Sequence, residues 1–119
     1  MVNVRPHRIV AFVEFTKHER KQLRELASDI YETELGALLE TVASSGDQWR
    51  GGALLASEMS DAIHQFHQGE SRRHWTMYQS LSEDQIVARG IALGLIGDGK
   101  LPHALKEKLS HLLALFQSR

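Results

Sequence analysis

One long amphipathic pattern near the start of the chain constrains the fold more than any other feature. Apolar residues recur there at steps of three and four over about seven helical turns. They are Leu23, Leu26, Ala27, Ile30, Tyr31, Leu35, Leu38, Leu39 and Val42. Thr16 and Glu19 precede them as a capping box, and Ser44, Ser45 and Gly46 follow with residue types that end helices. The pattern predicts one long helix that begins at Thr16 and ends near Gly46.

A second helix is predicted to begin either near Asp47 or after the Gly51-Gly52 pair. Its apolar face has the four-, four- and three-residue spacing of an amphipathic helix. The residues on that face are Leu55, Met59, Ile63 and Phe66. Gly69 is the weakest point of the pattern, and residues 73–81 either continue the helix or form an irregular turn.

Shorter helices are predicted in the C-terminal third. Ser82 and Gln85 repeat the capping signature and begin a third element that extends to Ile96. Residues 97–100 have the composition of a turn, and Pro102 suits the first position of a final helix. The apolar side of that last helix contains Leu105, Leu109, Leu112, Leu113 and Phe116.

The first fifteen residues have a different pattern. From Arg8 to Phe15, β-branched or aromatic residues alternate with small or polar ones. This alternation predicts either a short strand or an extended N-terminal arm. A lone strand needs a second chain to supply its sheet.

Together these segments predict an all-α protein with a single domain over residues 1–119. A chain of this length builds one core. Two long amphipathic helices joined by a short connection fold back as a hairpin, which alone leaves its outer apolar stripes in water. We therefore expect a hairpin of two long helices plus two shorter C-terminal helices, with a four-helix core completed by a two-fold dimer.

Composition excludes several classes of protein. The net charge is −1 and the charges are mixed along the chain, so no long-range field attracts nucleic acid or an anionic membrane. The chain has no cysteine, which excludes disulfide frameworks, zinc fingers, iron–sulfur clusters and thiol nucleophiles. No apolar run approaches the ~20 residues of a membrane span, and no signal-peptide pattern is present. We expect a cytoplasmic protein that binds no membrane.

No motif indicates an enzyme, a metal site or a cofactor. His64 and His67 lie one helical turn apart, but the chain has no Glu-x-x-His pair of the kind that di-iron bundles use. The seven histidines are expected at the surface or in interfaces. Neither a Gly-x-Ser-x-Gly elbow nor a phosphate-binding glycine loop is present. We therefore expect no catalytic residues, no bound metal and no cofactor.

Three features allow more than one interpretation. Tyr31 and Glu34 suit a proton-handling pair if buried, although an interface contact is the favoured interpretation. Residues 72–75, Arg-Arg-His-Trp, combine positive charge with an aromatic ring, which suits single-stranded nucleic acid or an acidic protein surface. The Gly90-x-x-x-Gly94 spacing lets two helices approach closely.

The C-terminal helices support an alternative function. With the turn between them they are similar to a helix-turn-helix unit, which would make the chain a small DNA-binding transcriptional regulator. The positively charged or titratable residues on the segment that would contact DNA are Lys100, His103, Lys106 and Lys108. These are few contacts, so nucleic acid is the less favoured partner.

From Phe15 to Val42 the sequence resembles, without a gap, the first helix of the cyanobacterial fluorescence recovery protein family. The matching residues are Phe15, Thr16, Glu19, Leu26 and the run Tyr31-x-x-Glu34-Leu35-x-x-Leu38-Leu39-x-Thr41-Val42. Residues 91–96 look like that family's Leu-Val-x-Glu-Gly-Leu segment, without its glutamate. Of the family's central-helix signature, only Glu58, Met59 and His64 stand at comparable places.

The family is all-α and dimeric, and it binds the orange carotenoid protein and speeds its return from the photoactivated to the resting form. The resemblance implies a non-enzymatic homodimeric regulator that binds a partner protein, such as a carotenoid-binding photoreceptor, and shifts its conformational state. The second helix would present the binding face. The residues predicted for the dimer or partner interface are Tyr31, Glu34, Leu38, Leu55, Glu58, Met59, Ile63, His64 and Phe66.

Overall fold

The computed structural model describes residues 13–118, and this part of the chain contains helices and no strand. The all-α prediction is confirmed. The strand or arm expected in residues 8–15 falls mostly outside the described residues. Residues 13–16 lead into the first helix without regular structure of their own.

Helix α1, Lys17–Arg50, is 34 residues long. The predicted capping box begins it, with the Glu19 N–H donating to the Thr16 hydroxyl (3.1 Å) and the Thr16 N–H donating to the Glu19 carboxylate (2.9 Å). The predicted end near Gly46 is wrong. The helix continues through Gly46, which is half-buried, and a Cβ at that position would lie 3.7 Å from Met59 of the next helix. It ends before Gly52, whose φ of +87° only glycine adopts easily.

The second limb of the hairpin consists of three helical pieces without a break between them. They are α2, Ala56–Phe66, a π-helical segment, His67–Ser71, and α3, Arg72–Ser80. The limb begins after the glycine pair, where the Glu58 carboxylate accepts the Leu55 N–H at 2.8 Å. Of the two predictions for residues 73–81, the continued helix is therefore confirmed up to Ser80.

The π segment, which includes the predicted weak point Gly69, changes the helical phase. In an unbroken α-helix Phe66 and His74 would lie about 80° apart around the axis. One inserted residue reduces this angle to about 20°. Phe66 can thus line a groove with Val42 of α1 while His74 packs against Tyr31 of the same helix.

The C-terminal part contains helices α4, Glu83–Ala92, α5, His103–Lys108, and α6, Ser110–Gln117. The Gln85 side chain accepts the Ser82 N–H at 2.9 Å, as the capping signature predicts. Helix α4 ends earlier than expected, because Gly94 has φ +75°. Residues 98–100 form a short 3₁₀ turn, and the expected final helix is interrupted at Leu109.

The core lies at one end of the hairpin. It is built from the N-terminal half of α1, the end of α3, α4 and the two last helices. Its buried apolar residues are Leu23, Ala27, Ile30, Tyr78, Ile86, Val87, Ala88, Leu101, Leu105, Leu109 and Leu113. We call this part, residues 15–34 and 74–117, the head.

The other end of the hairpin, residues 35–73, is the arm. None of its residues is buried. The molecule measures 63 × 35 × 27 Å and has a radius of gyration of 19.0 Å, compared with ~13–14 Å for a compact domain of this length. The arm is therefore a two-helix projection from a three-layered head.

Helices α1 and α4 cross closely at Gly90, as the glycine spacing predicts. A Cβ on Gly90 would lie 2.6 Å from Cδ1 and 2.9 Å from Cγ2 of Ile30, which is fully buried. Gly94 has a different role, since it ends α4 and has no neighbour within 4 Å of its Cβ position. Only the first of the two glycines permits the close approach.

Candidate functional site

A polar cluster joins three helices where the arm meets the head. Glu34 of α1 accepts two parallel hydrogen bonds from Arg89 of α4, Nη1 to Oε1 at 3.0 Å and Nη2 to Oε2 at 3.1 Å. The hydroxyl of Tyr78, on α3, donates to the same Oε1 at 2.6 Å. Such bidentate, charge-assisted pairing fixes orientation as well as distance. Glu34 thus holds α3 and α4 against α1.

Three rings pack beside this carboxylate. The centroids of Tyr31 and His74 are 4.5 Å apart, those of His74 and Tyr78 4.5 Å, and those of Tyr31 and Tyr78 5.0 Å. The last pair is edge-to-face, a favourable arrangement for aromatic quadrupoles. The rings close the cluster on the side of the arm.

His74 is the buried histidine of this cluster, which corrects the expectation that the histidines lie at the surface or in interfaces. It is 3% exposed, and neither ring nitrogen has a hydrogen-bond partner. Its Nδ1 is 3.7 Å from Oε1 of Glu34, too far for a hydrogen bond. A buried polar atom without a partner costs free energy, so the packing of the two tyrosine rings must outweigh that cost here.

The charges of the cluster follow from its hydrogen bonds. Burial raises the pKa of Glu34, but the hydrogen bonds from Arg89 and Tyr78 outweigh burial and hold that pKa below its ordinary value. Burial and the hydrogen bond to Glu34 raise the pKa of Tyr78 well above the ordinary 10. At neutral pH Glu34 is therefore ionised and Tyr78 protonated. The tyrosine that hydrogen-bonds to Glu34 is Tyr78, whereas Tyr31, which the sequence pairs with Glu34, makes ring contacts instead.

A second ion pair anchors the start of α1 to the C-terminal helices. The Lys108 ammonium donates to Oε1 of Glu19 at 2.6 Å and lies 5.9 Å from the centroid of the Phe15 ring. The hydrogen bonds from Lys108 and from the Thr16 N–H lower the pKa of Glu19. Lys108, one of the four candidate DNA contacts, is thus engaged inside the chain.

The structure divides the predicted interface residues into two groups. Tyr31 and Glu34 belong to the cluster described above. The other seven lie on the arm, where the half-buried ones are Leu38, Met59 and Phe66 and the exposed ones are Leu55, Glu58, Ile63 and His64. A role of these nine residues in an interface stays a prediction. For Tyr31 and Glu34 the structure shows in addition contacts within the chain.

The sequence patterns do not indicate three members of the cluster, His74, Tyr78 and Arg89. Tyr78 and His74 stand in the stretch whose conformation the pattern left open. Arg89 did carry a signal, since it is a lone charge between Val87 and Ile91 in an otherwise apolar run. A buried cation calls for a carboxylate partner, but the sequence does not indicate which one.

Metal ligands do not converge in residues 13–118, where no three histidine or carboxylate side chains are placed to hold an ion together. His64 and His67 are both exposed on the arm. None of the helices described for this chain combines the length and the apolar character needed to cross a bilayer.

Comparisons of the chain with protein-family models, curated proteins and solved structures found no match. Of the residues that resemble the fluorescence recovery protein family in sequence, Tyr31 and Glu34 are the α1 members of the half-buried cluster.

Proposed function

We propose that this chain is a non-enzymatic, cytoplasmic, homodimeric regulator that binds a partner protein and shifts its conformational state. The proposal follows the resemblance to the fluorescence recovery protein family, which acts in this way on the orange carotenoid protein. The observation that supports it most is the uncovered arm. A regulator of this kind acts by binding one state of its partner better than the other.

The arm exposes large apolar side chains on both of its helices. On α1, Leu39 is 44% exposed and Trp49 46%, and on the second limb Leu55 is 68% exposed and Ile63 50%. Two packed helices hide only the stripes that face each other, so a third layer is needed to cover the rest. A second arm related by a two-fold axis supplies that layer and completes a four-helix core.

The molecular mass in solution tests the dimer. Light scattering coupled to gel filtration is expected to return about twice the chain mass of 13.4 kDa. Ile63→Glu on the arm should shift the protein to the monomer. Leu115→Glu is the matched control, because Leu115 has the same 50% exposure but lies on the head. A wild-type monomer throughout the micromolar range would remove the dimer from the proposal.

A purified orange carotenoid protein tests the proposed partner. After photoactivation, its return to the resting form is followed by absorbance with and without this chain. The proposal predicts a faster return in the presence of the wild-type chain. An unchanged rate at saturating concentrations of the dimer would show that this client is wrong.

The DNA-binding alternative has less support from the contacts. Helix α5 is only six residues long, and Lys108 at its end is paired with Glu19. We expect no binding to a labelled DNA duplex at low salt, measured by fluorescence anisotropy. Binding that weakens steeply as salt rises would favour the alternative.

A further inference from the structure

Two adjoining grooves follow the outer surface of the second limb where the π segment meets α3. One groove, of about 390 Å³, is bordered by Tyr31 and Trp75, and the other, of about 620 Å³, by Arg73 and Met77. The grooves share Arg72 and Gln68, so they form one continuous surface. We call this surface, centred on Arg72, Arg73 and Trp75, the basic–aromatic face.

The two grooves contain positive charge only, whereas the neighbouring groove beyond Arg73 contains Glu34 and Glu70. The residues that line the two grooves include two arginines and a histidine, and no carboxylate. Arg72 and Arg73 are both exposed, and neither forms an ion pair or a side-chain hydrogen bond within residues 13–118. Arg89, by contrast, is paired with Glu34. The face thus presents two guanidinium groups whose ordinary partner, a carboxylate, must come from another molecule.

Trp75 adds an apolar anchor beside Arg72, in the first of the two grooves. It is 56% exposed, although its neighbours in the helix, His74 and Tyr78, are buried. Those buried residues fix the rotation of α3, so the backbone that carries Trp75 and Arg72 is already ordered before binding. Tryptophan and arginine together are the residues most enriched in the energetic centres of protein interfaces.

We propose that the basic–aromatic face is the docking site for an acidic segment of the partner protein. Carboxylates of the segment pair with Arg72 and Arg73, and an apolar side chain packs against Trp75. This inference rests on the proposed function in one respect, namely that a partner protein exists. It does not use the apolar residues that we assign to the dimer, because Leu39, Trp49, Leu55 and Ile63 line neither groove.

A short fluorescein-labelled peptide of Glu and Asp residues around one Leu tests the proposal. We expect measurable binding by anisotropy at low salt and a clear loss as salt rises. The Arg72→Glu/Arg73→Glu variant should weaken binding at least tenfold, and Trp75→Ala several-fold. The Lys21→Glu/Arg24→Glu variant on α1 is the matched control, because both residues are exposed and the change in net charge is the same, and it should leave binding nearly unchanged.

Three results would overturn the proposal. They are no binding of the acidic peptide at low salt, equal binding by the charge-reversed variant, or preference for a single-stranded oligonucleotide over the peptide. Circular dichroism and light scattering on the same samples show that each variant keeps its helices and its mass. A failure here therefore leaves the dimer and the test with the carotenoid protein to be judged separately.

Discussion

The head and the arm are built from the same kind of sequence but differ in burial. Ile30 and Ile63 both stand on apolar stripes with helical spacing, yet Ile30 is fully buried and Ile63 is half exposed. The head has α4 and the C-terminal helices as a further layer, whereas the arm has none among residues 13–118. An apolar stripe therefore indicates which face of a helix will be covered, but it does not indicate which segment or which molecule covers it.

The largest difference in unfolding free energy between the head and the arm is expected when Ile30 and Ile63 are each replaced by alanine. Ile30→Ala leaves a cavity in the head and should lower the free energy of unfolding by about 2–5 kcal/mol. Ile63→Ala should cost less than about 0.5 kcal/mol in dilute protein, because its site is already open to water. Urea denaturation measures both values. Equal costs in dilute protein would contradict the division into head and arm.

The unfolding free energies of the same two variants can also be compared as the protein concentration is raised. If a second copy covers the arm, the cost of Ile63→Ala grows with concentration, while that of Ile30→Ala stays the same.

The next largest effect concerns the carboxylates. Glu34→Gln removes the charge from a partly buried, bidentate pair and should lower the free energy of unfolding by about 2 kcal/mol. The matched change in the arm is Asp47→Asn, whose carboxylate lies 3.7 Å from the exposed Arg50. That surface pair should contribute less than about 0.5 kcal/mol. Thermal denaturation of the two variants measures both losses of stability. A larger loss for Asp47→Asn than for Glu34→Gln would show that the cluster does not stabilise the head.

A pH titration should reproduce part of the Glu34 effect without a mutation. The folded-state pKa of Glu34 lies below its ordinary value of 4.5. The stabilisation is therefore complete above that ordinary value and is lost as the pH falls through the lower, folded-state pKa. The difference in unfolding free energy between the wild type and Glu34→Gln should narrow in that acid range. A difference that stays constant down to pH 2 would contradict this assignment.

The smallest expected change in unfolding free energy comes from replacing a glycine by alanine. The change should have opposite signs in the head and in the arm. Gly90→Ala forces a Cβ against Ile30 and should destabilise the head by about 1 kcal/mol, after the helix-propensity gain is subtracted from the cost of overpacking. Gly36→Ala in the arm meets no atom within 4 Å and should stabilise the protein by about 0.5–1 kcal/mol. Denaturation midpoints of both variants check the signs. The same sign at both positions would show that the close approach of α1 and α4 is absent.

Much of the helical architecture could be predicted because helix beginnings are local. Thr16 with Glu19 and Ser82 with Gln85 mark starts that the structure confirms, since each cap joins residues three apart in sequence. Helix ends were less predictable. Gly46 is of a residue type that often ends helices, but one glycine inside a helix costs only about 1 kcal/mol, which a helix of 34 residues tolerates.

The candidate site was predictable only in part. Tyr31 and Glu34 attract notice as polar groups on an otherwise aliphatic stripe. Arg89, the partner of Glu34, is 55 residues away, and no local pattern connects them. The positive charge and the aromatic ring of residues 72–75 could be recognised from the sequence. The burial of His74 shows which side of α3 faces the core and therefore that Trp75 faces outward.

The all-α class, the hairpin and the absence of cysteine follow directly from the amino-acid sequence, because capping, apolar spacing and residue content act within a few residues. Which apolar stripe becomes core, and which carboxylate pairs with which cation, depends on the folded arrangement of the helices. These outcomes depend on surfaces that distant segments bring together, and burial is a property of two surfaces in contact.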